Sequence, residues 1–120
     1  MLIVEFYESM RGNSEVKDFL RDLNLKAKAG NTAVAELLDS IQYTMSRVRD
    51  EGPIAGMPYT RKLRGEIWEL RPTKFRITYF LLHNKIVLLT IFRKQSQTTP
   101  SYEIDRAENR MKDWVKRNGK

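Results

Sequence analysis

Cysteine is missing altogether, and histidine occurs once, at position 83. Those absences exclude disulfide bridges, a thiolate nucleophile, zinc-finger spacing and a His-rich ligand set. Long apolar runs are missing as well. None nears the ~18 residues of a bilayer span, and the opening MLIVEFYESM has neither a basic leader nor the length of a signal core. The expectation is a cytoplasmic protein without membrane contact, whose chemistry uses no cofactor and no metal. Repeats and low-complexity tracts are also lacking, while 41% hydrophobic and 10% aromatic residues describe an ordinary folding chain. Residues 1–120 are expected to form one domain, since a chain of this size buries well over half of its surface around one core.

What the chain has is positive charge. Lysine and arginine number 22 against 15 acidic residues, for a net charge of +7, which attracts a polyanion. The surplus is local. Arg61, Lys62, Arg64, Arg71, Lys74, Arg76, Lys85, Arg93 and Lys94 face only Glu66 and Glu69 within the same stretch, and the rest of the chain balances. Such confinement is the footprint of a phosphate-binding surface.

Apolar periodicity places this stretch in a fold. Leu2 to Tyr7 suits a strand. Val16, Phe19, Leu20 and Leu23 line one face of a helix that Asn13 or Ser14 can cap. After Gly30-Asn31, Val34, Leu37, Leu38, Ile41, Met45 and Val48 mark a longer helix ending before Gly52-Pro53. The two form a hairpin whose apolar stripes require a sheet to cover. Ile54 to Tyr59 reads as a loop. Strands follow at 60–64, 66–71, 75–82 and 86–92, the last apolar enough to lie centrally and covered on both faces. Thr99 is expected to cap a final helix with Pro100 at its first position, and Ile104, Ala107, Met111 and Trp114 as its buried face. The class is α+β.

Alternation along strands decides which bases can meet. Glu69 and Arg71 share one face, Arg76 and Thr78 share one on the next strand, and the tight turn at 72–74 brings Arg71 and Arg76 together. Lys62 and Arg64 are expected on one face of the preceding strand, with Arg93-Lys94 at the end of the central one. A cationic cleft follows. The alternative is that these arginines are answered by Glu66 and Glu69 in ordinary cross-strand pairs.

The run KLRGEIWELRPTKFRITYFL at 62–81, then FRKQSQTTP at 92–100 and EIDRA at 103–107, resembles the RelE/ParE toxin superfamily, most of all its phage-derived, HigB-like branch. The resemblance covers essentially the whole chain. It implies a small, twisted, mostly antiparallel sheet packed by an N-terminal helical hairpin and a C-terminal helix. It implies the toxin of a type II toxin–antitoxin system, cutting messenger RNA on the ribosome, with a helix-turn-helix, HigA-like antitoxin as partner. By the family's motifs, Lys62, Arg71, Arg93 and Lys94 correspond to the catalytic set, and Arg64, Arg76 and Lys74 to RNA-binding positions. Tyr102 stands nearest a tyrosine that some RelE-type members carry early in the last helix, at a different spacing. His83, in a hairpin turn, matches none of the histidines of some HigB toxins.

The implied chemistry is attack of a ribose 2′-hydroxyl on its own 3′ phosphate, leaving a cyclic phosphate and a 5′-hydroxyl. Arginine forks suit the charge growing on the phosphorane. A lysine crowded by like charges gives up its proton more readily, which nominates Lys62 or Lys94 as proton carrier, with Glu69 as rival. A second reading, a ParE-like inhibitor of DNA gyrase, shares the fold. The additional bases Lys62, Arg93 and Lys94 favour the nuclease.

Overall fold

The computed structural model describes residues 1–119. The elements in chain order are β1 (Ile3–Phe6), α1 (Glu15–Lys28), α2 (Thr32–Glu51), a 3-10 turn (Gly52–Ala55), β2 (Thr60–Arg64), β3 (Ile67–Leu70), β4 (Phe75–Leu82), β5 (Lys85–Arg93) and α3 (Ser101–Asn118). The five strands form one sheet in the order β1-β5-β4-β3-β2, with β1 parallel to β5 and every other neighbour antiparallel. The α+β class and the order of elements agree with the sequence reading.

Each helix owes its place to an apolar stripe. Val16 and Leu23 of α1 and Leu38, Ile41 and Val48 of α2 are buried against Leu70, Ile77, Tyr79, Ile86, Leu88 and Ile91 on one sheet face. Ala107 and Trp114 of α3 meet Ile67, Phe80, Val87 and Leu89 on the other. Covered on both sides, β5 is buried from Ile86 to Ile91, as its continuous apolar run required. Full burial of each such side chain contributes about 1.5–3 kcal/mol, so the sheet is held from both faces.

Two local irregularities interrupt the alternation of side chains along the sheet. Along β4–β5, Thr78 pairs with Thr90 but Tyr79 pairs with Leu88, so Leu89 is an extra residue in the ladder. The bulge turns both Leu89 and Thr90 away from the hairpin, and the Thr90 hydroxyl meets that of Thr78 inside the sheet. A second shift lies in β2, where Lys62 opposes Trp68 and Arg64 opposes Ile67. Trp68 packs on the hairpin side and Ile67 on the α3 side. Lys62 and Arg64 therefore lie on opposite faces, not on one, because the bulge at Leu63 breaks the alternation on which that expectation rested.

The helix starts differ in part from expectation. Asn31 caps α2, its side-chain oxygen accepting from the Val34 N–H at 3.1 Å. Ser14 occupies the cap position of α1 without making the cap bond. At α3, Pro100 stands at the cap position and Thr99 one residue earlier, with no side-chain cap. The Thr99 hydroxyl has a stronger acceptor elsewhere.

Candidate active site

That acceptor is Glu69. Its side chain is wholly buried in β3, where an ionised carboxylate is tolerated only if its lone pairs are filled by donors or cations. Thr99 donates to Glu69 Oε1 at 2.7 Å. Arg71 donates to Oε2 at 2.6 Å, and Arg61 lies 3.2 Å from the same oxygen. Arg76 approaches it to 4.0 Å with Nε and donates through Nη1 to the carbonyls of Thr73 and Phe75 at 3.1 and 2.8 Å. Cross-strand pairing with Glu69 is thus realised, and it gathers the arginines instead of dispersing them. Glu66, by contrast, is exposed in the β2–β3 turn.

Three guanidinium groups around one carboxylate leave positive charge unanswered. Burial, with Arg71 beside it, draws the Arg76 guanidinium below its usual range; Glu69 opposes that shift and Arg61 adds to it. With Oε1 and Oε2 both occupied and shielded from solvent, Glu69 is placed as a counter-charge rather than as a base meeting a substrate.

The cluster opens into a groove of about 410 Å³ between α2 and the β3–β4 turn. Ser40, Tyr43 and Thr44 form the helical wall, Met57, Pro58 and Tyr59 the loop wall, and Arg71, Thr73 and Arg76 the cationic side. A second groove of about 500 Å³ continues along the N-terminal half of α2, from Asn31 to Leu37, against Thr73, Lys74, Phe75 and Arg93. Thr73 borders both, so the trench along α2 is two adjoining grooves. The Lys94 N–H donates to the Lys74 carbonyl at 2.7 Å, which ties the β3–β4 turn to the end of β5. Ring contact between Phe19 and Phe75, 5.1 Å between centroids, fixes α1 to the same end of the sheet.

Of the residues singled out in the sequence, Arg71 and Arg76 come together around Glu69, while Arg93 and Lys74 line the adjoining groove and Lys94 is joined to Lys74 only through the backbone. Lys74, Arg93, Lys94 and Lys62 are exposed and have no carboxylate partner among the described residues. Lys62 sits apart, beside Arg61, Thr98 and Thr99 in a small cleft at the β2 edge. Arg64 is drawn away from the cluster. It stands at the far end of β2 and is held by Asp105 and by Glu108, the latter at 2.7 Å. Tyr102 is exposed in the first turn of α3, with its hydroxyl 3.5 Å from the Gln95 side chain. His83 is exposed in the β4–β5 turn with a positive φ of 56°, away from the site.

Sequence reading missed four participants. Arg61 is the register partner of Glu69 across β2–β3, a pairing that strand alignment could have supplied. Thr99 reads in the sequence as a helix cap, whereas its hydroxyl serves Glu69. Tyr43 and Tyr59 carried no strand or motif signal. They meet edge-on, with ring centroids 5.9 Å apart.

Residues 18–112 match the family model described as "Phage derived protein Gp49-like (DUF891)", and the chain belongs to that family. An uncharacterized protein of Aquifex aeolicus (strain VF5) is 41% identical over 54 residues, which are 44% of this chain and 40% of that protein. The chain thus spans well under half the length of that relative. Among solved structures, the YoeB-YefM complex from Staphylococcus aureus is similar with a TM-score of 0.49 at 14% identity, over 80% of this chain and 99% of that one.

Proposed function

We propose that the protein is the toxin of a toxin–antitoxin pair, a metal-independent endoribonuclease that cuts messenger RNA on the ribosome. The observation that carries the reading is the Arg61–Arg71–Arg76 cluster on Glu69, of which Arg71 and Arg76 line one groove beside α2 while Lys74 and Arg93 line the groove adjoining it. Membership of a phage-derived family agrees with the phage-derived toxin branch that the sequence resembles. No helix among the described residues is long and apolar enough to cross a membrane, in keeping with an RNA substrate met in the cytoplasm.

In this reading the scissile phosphate enters between Arg71, Arg76 and Arg93. The 2′-oxygen of the preceding ribose attacks phosphorus, the bond to the 5′-oxygen of the next nucleotide breaks, and a 2′,3′-cyclic phosphate and a 5′-hydroxyl result. Forked, permanently charged donors stabilise the equatorial oxygens of the phosphorane. Lys94, or Lys62 from the β2 edge, carries the proton from the 2′-hydroxyl towards the leaving oxygen. With no strong acid–base pair at hand, alignment of the RNA by the ribosome contributes much of the rate. A helix-turn-helix, HigA-like antitoxin silences the enzyme by covering its cationic face. Arg64, already neutralised by α3, contributes an outlying RNA contact.

The test is incubation of the purified protein with a defined messenger RNA, with and without programmed ribosomes, and mapping of new 5′ ends. Cuts that depend on ribosomes and on Arg71 and Arg93 support the reading. Intact RNA together with inhibited DNA gyrase would overturn it in favour of the gyrase-inhibitor class.

A further inference from the structure

Tyr43 is an aromatic side chain on the helical wall of the trench that belongs to neither buried cluster. It is 54% exposed, yet it is not loose. Arg47, one turn further along α2, donates to the Tyr43 hydroxyl at 3.3 Å. Its guanidinium also lies 4.4 Å above the Tyr59 ring, and Glu51 holds it from the other side. One arginine thus fixes two tyrosines, one from the helix and one from the loop, at the mouth of the groove that Arg71 and Arg76 line. Fixing an exposed ring stabilises the core little; it does prepare a flat apolar face for a planar ligand.

We propose that Tyr43, braced by Tyr59 and Arg47, is a base-stacking subsite for single-stranded RNA. One nucleobase lies on the Tyr43 ring, and its phosphate meets the unanswered charge of Arg71 and Arg76. The inference rests on the RNA-cleaving function proposed above, and it identifies how a nucleotide beside the reacting one is held. Three observations converge on it. The groove, at about 410 Å³, is within the range of small-ligand clefts. Its charged side carries the guanidinium groups of Arg71 and Arg76, two of the three that share the single Glu69 carboxylate, which suits a phosphate. Thr73 also borders the groove of Lys74 and Arg93, which puts further positive charge next to it along α2. Aromatic stacking with electrostatic tracking of the backbone is how single strands are held without reading their sequence.

The experiment uses a short 2′-O-methyl RNA, which lacks the attacking hydroxyl, carrying one 2-aminopurine as fluorescent base. Affinity and fluorescence are followed across a salt series for the full-length protein and its variants. Tyr43→Ala is expected to weaken binding about ten- to hundredfold and abolish quenching while leaving the salt slope unchanged. Tyr43→Trp is expected to restore both affinity and quenching. Arg71→Ala should instead lower the salt slope by about one unit and retain quenching at saturation. Circular dichroism and melting confirm that each variant is folded. If Tyr43→Ala binds and quenches like the parent while Arg71→Ala does not, the stacking subsite is overturned and the nuclease reading survives. If the parent protein binds the RNA at no salt concentration, both fall together.

Discussion

Thr99 and Glu69, 30 residues apart, are joined by a 2.7 Å hydrogen bond that ties the entrance of α3 to β3 of the sheet. The same carboxylate orients Arg61 and Arg71, so helix docking and charge placement depend on one buried group. Glu69→Gln leaves neighbouring guanidinium groups without their counter-charge and is expected to cost about 3 kcal/mol. Thr99→Val, which keeps the shape and loses the hydroxyl, is expected to cost about 1.5 kcal/mol. Urea unfolding measures both; a Glu69→Gln midpoint equal to that of the parent would show that the arginines do not need the carboxylate.

Cleavage should separate the cationic residues into two groups. Arg71→Ala or Arg93→Ala is expected to lower ribosome-dependent cleavage about 10²–10³-fold. Arg71→Lys should recover little of it, since a point charge cannot replace a fork. Arg64→Ala, whose parent side chain is engaged by Asp105 and Glu108, should remain within a few-fold of the parent. Single-turnover rates on programmed ribosomes decide the matter, and equal losses at Arg64 and Arg71 would contradict the division.

Alkaline pH should expose the buried phenol of the core. Burial pushes Tyr79 up to about 12 from its ordinary value of 10. Its hydroxyl meets that of Thr60 at 2.7 Å, while Thr60 spends its own proton on the Glu69 carbonyl at 2.8 Å. The folded state therefore keeps the neutral phenol over a range in which the unfolded chain ionises it. Its contribution, about 3 kcal/mol, is present in full below pH ~10 and is lost as pH rises towards 12. Tyr79→Phe should flatten the decline of melting temperature between those limits, and a parallel decline in both proteins would assign it to other groups.

The last helix depends on one aromatic anchor. Trp114 is buried against Phe80, with ring centroids 5.6 Å apart and nearly perpendicular. Trp114→Ala should destabilise the fold by about 3–5 kcal/mol. Hydrogen exchange should then quicken in α3 before it does in β4 and β5, whereas uniform quickening would mean that α3 and the sheet unfold as one unit.

The elements were legible in the sequence because apolar period and turn chemistry are local signals. The stripe from Val34 to Val48 required a helix, and the run from Ile86 to Ile91 required an interior strand. The meeting of Arg71 and Arg76 was legible too, since it needs only alternation and a tight turn. Both β-bulges were not, because an extra residue is fixed by packing across the sheet and leaves alternation along one strand looking intact. The shift at Leu63 accordingly sent Arg64 to the side opposite Lys62. Counting acids within the basic stretch also misled, since Asp105 and Glu108 reach Arg64 from a helix more than 40 residues away. The Tyr43–Tyr59 pair joins a helix to an irregular loop, which no periodic pattern connects.

The pairing of β1 with β5 makes the first strand wait for the last one. While the protein is being synthesised, β1 and the helical hairpin emerge before the strands that cover their apolar side. Residues separated by more than 80 positions must find one another before that layer is sealed, a costly closure that delays folding. Arg93 and Lys94 lie at the end of the same late strand. A half-made copy therefore has neither a finished core nor the Arg93–Lys94 end of its cationic surface.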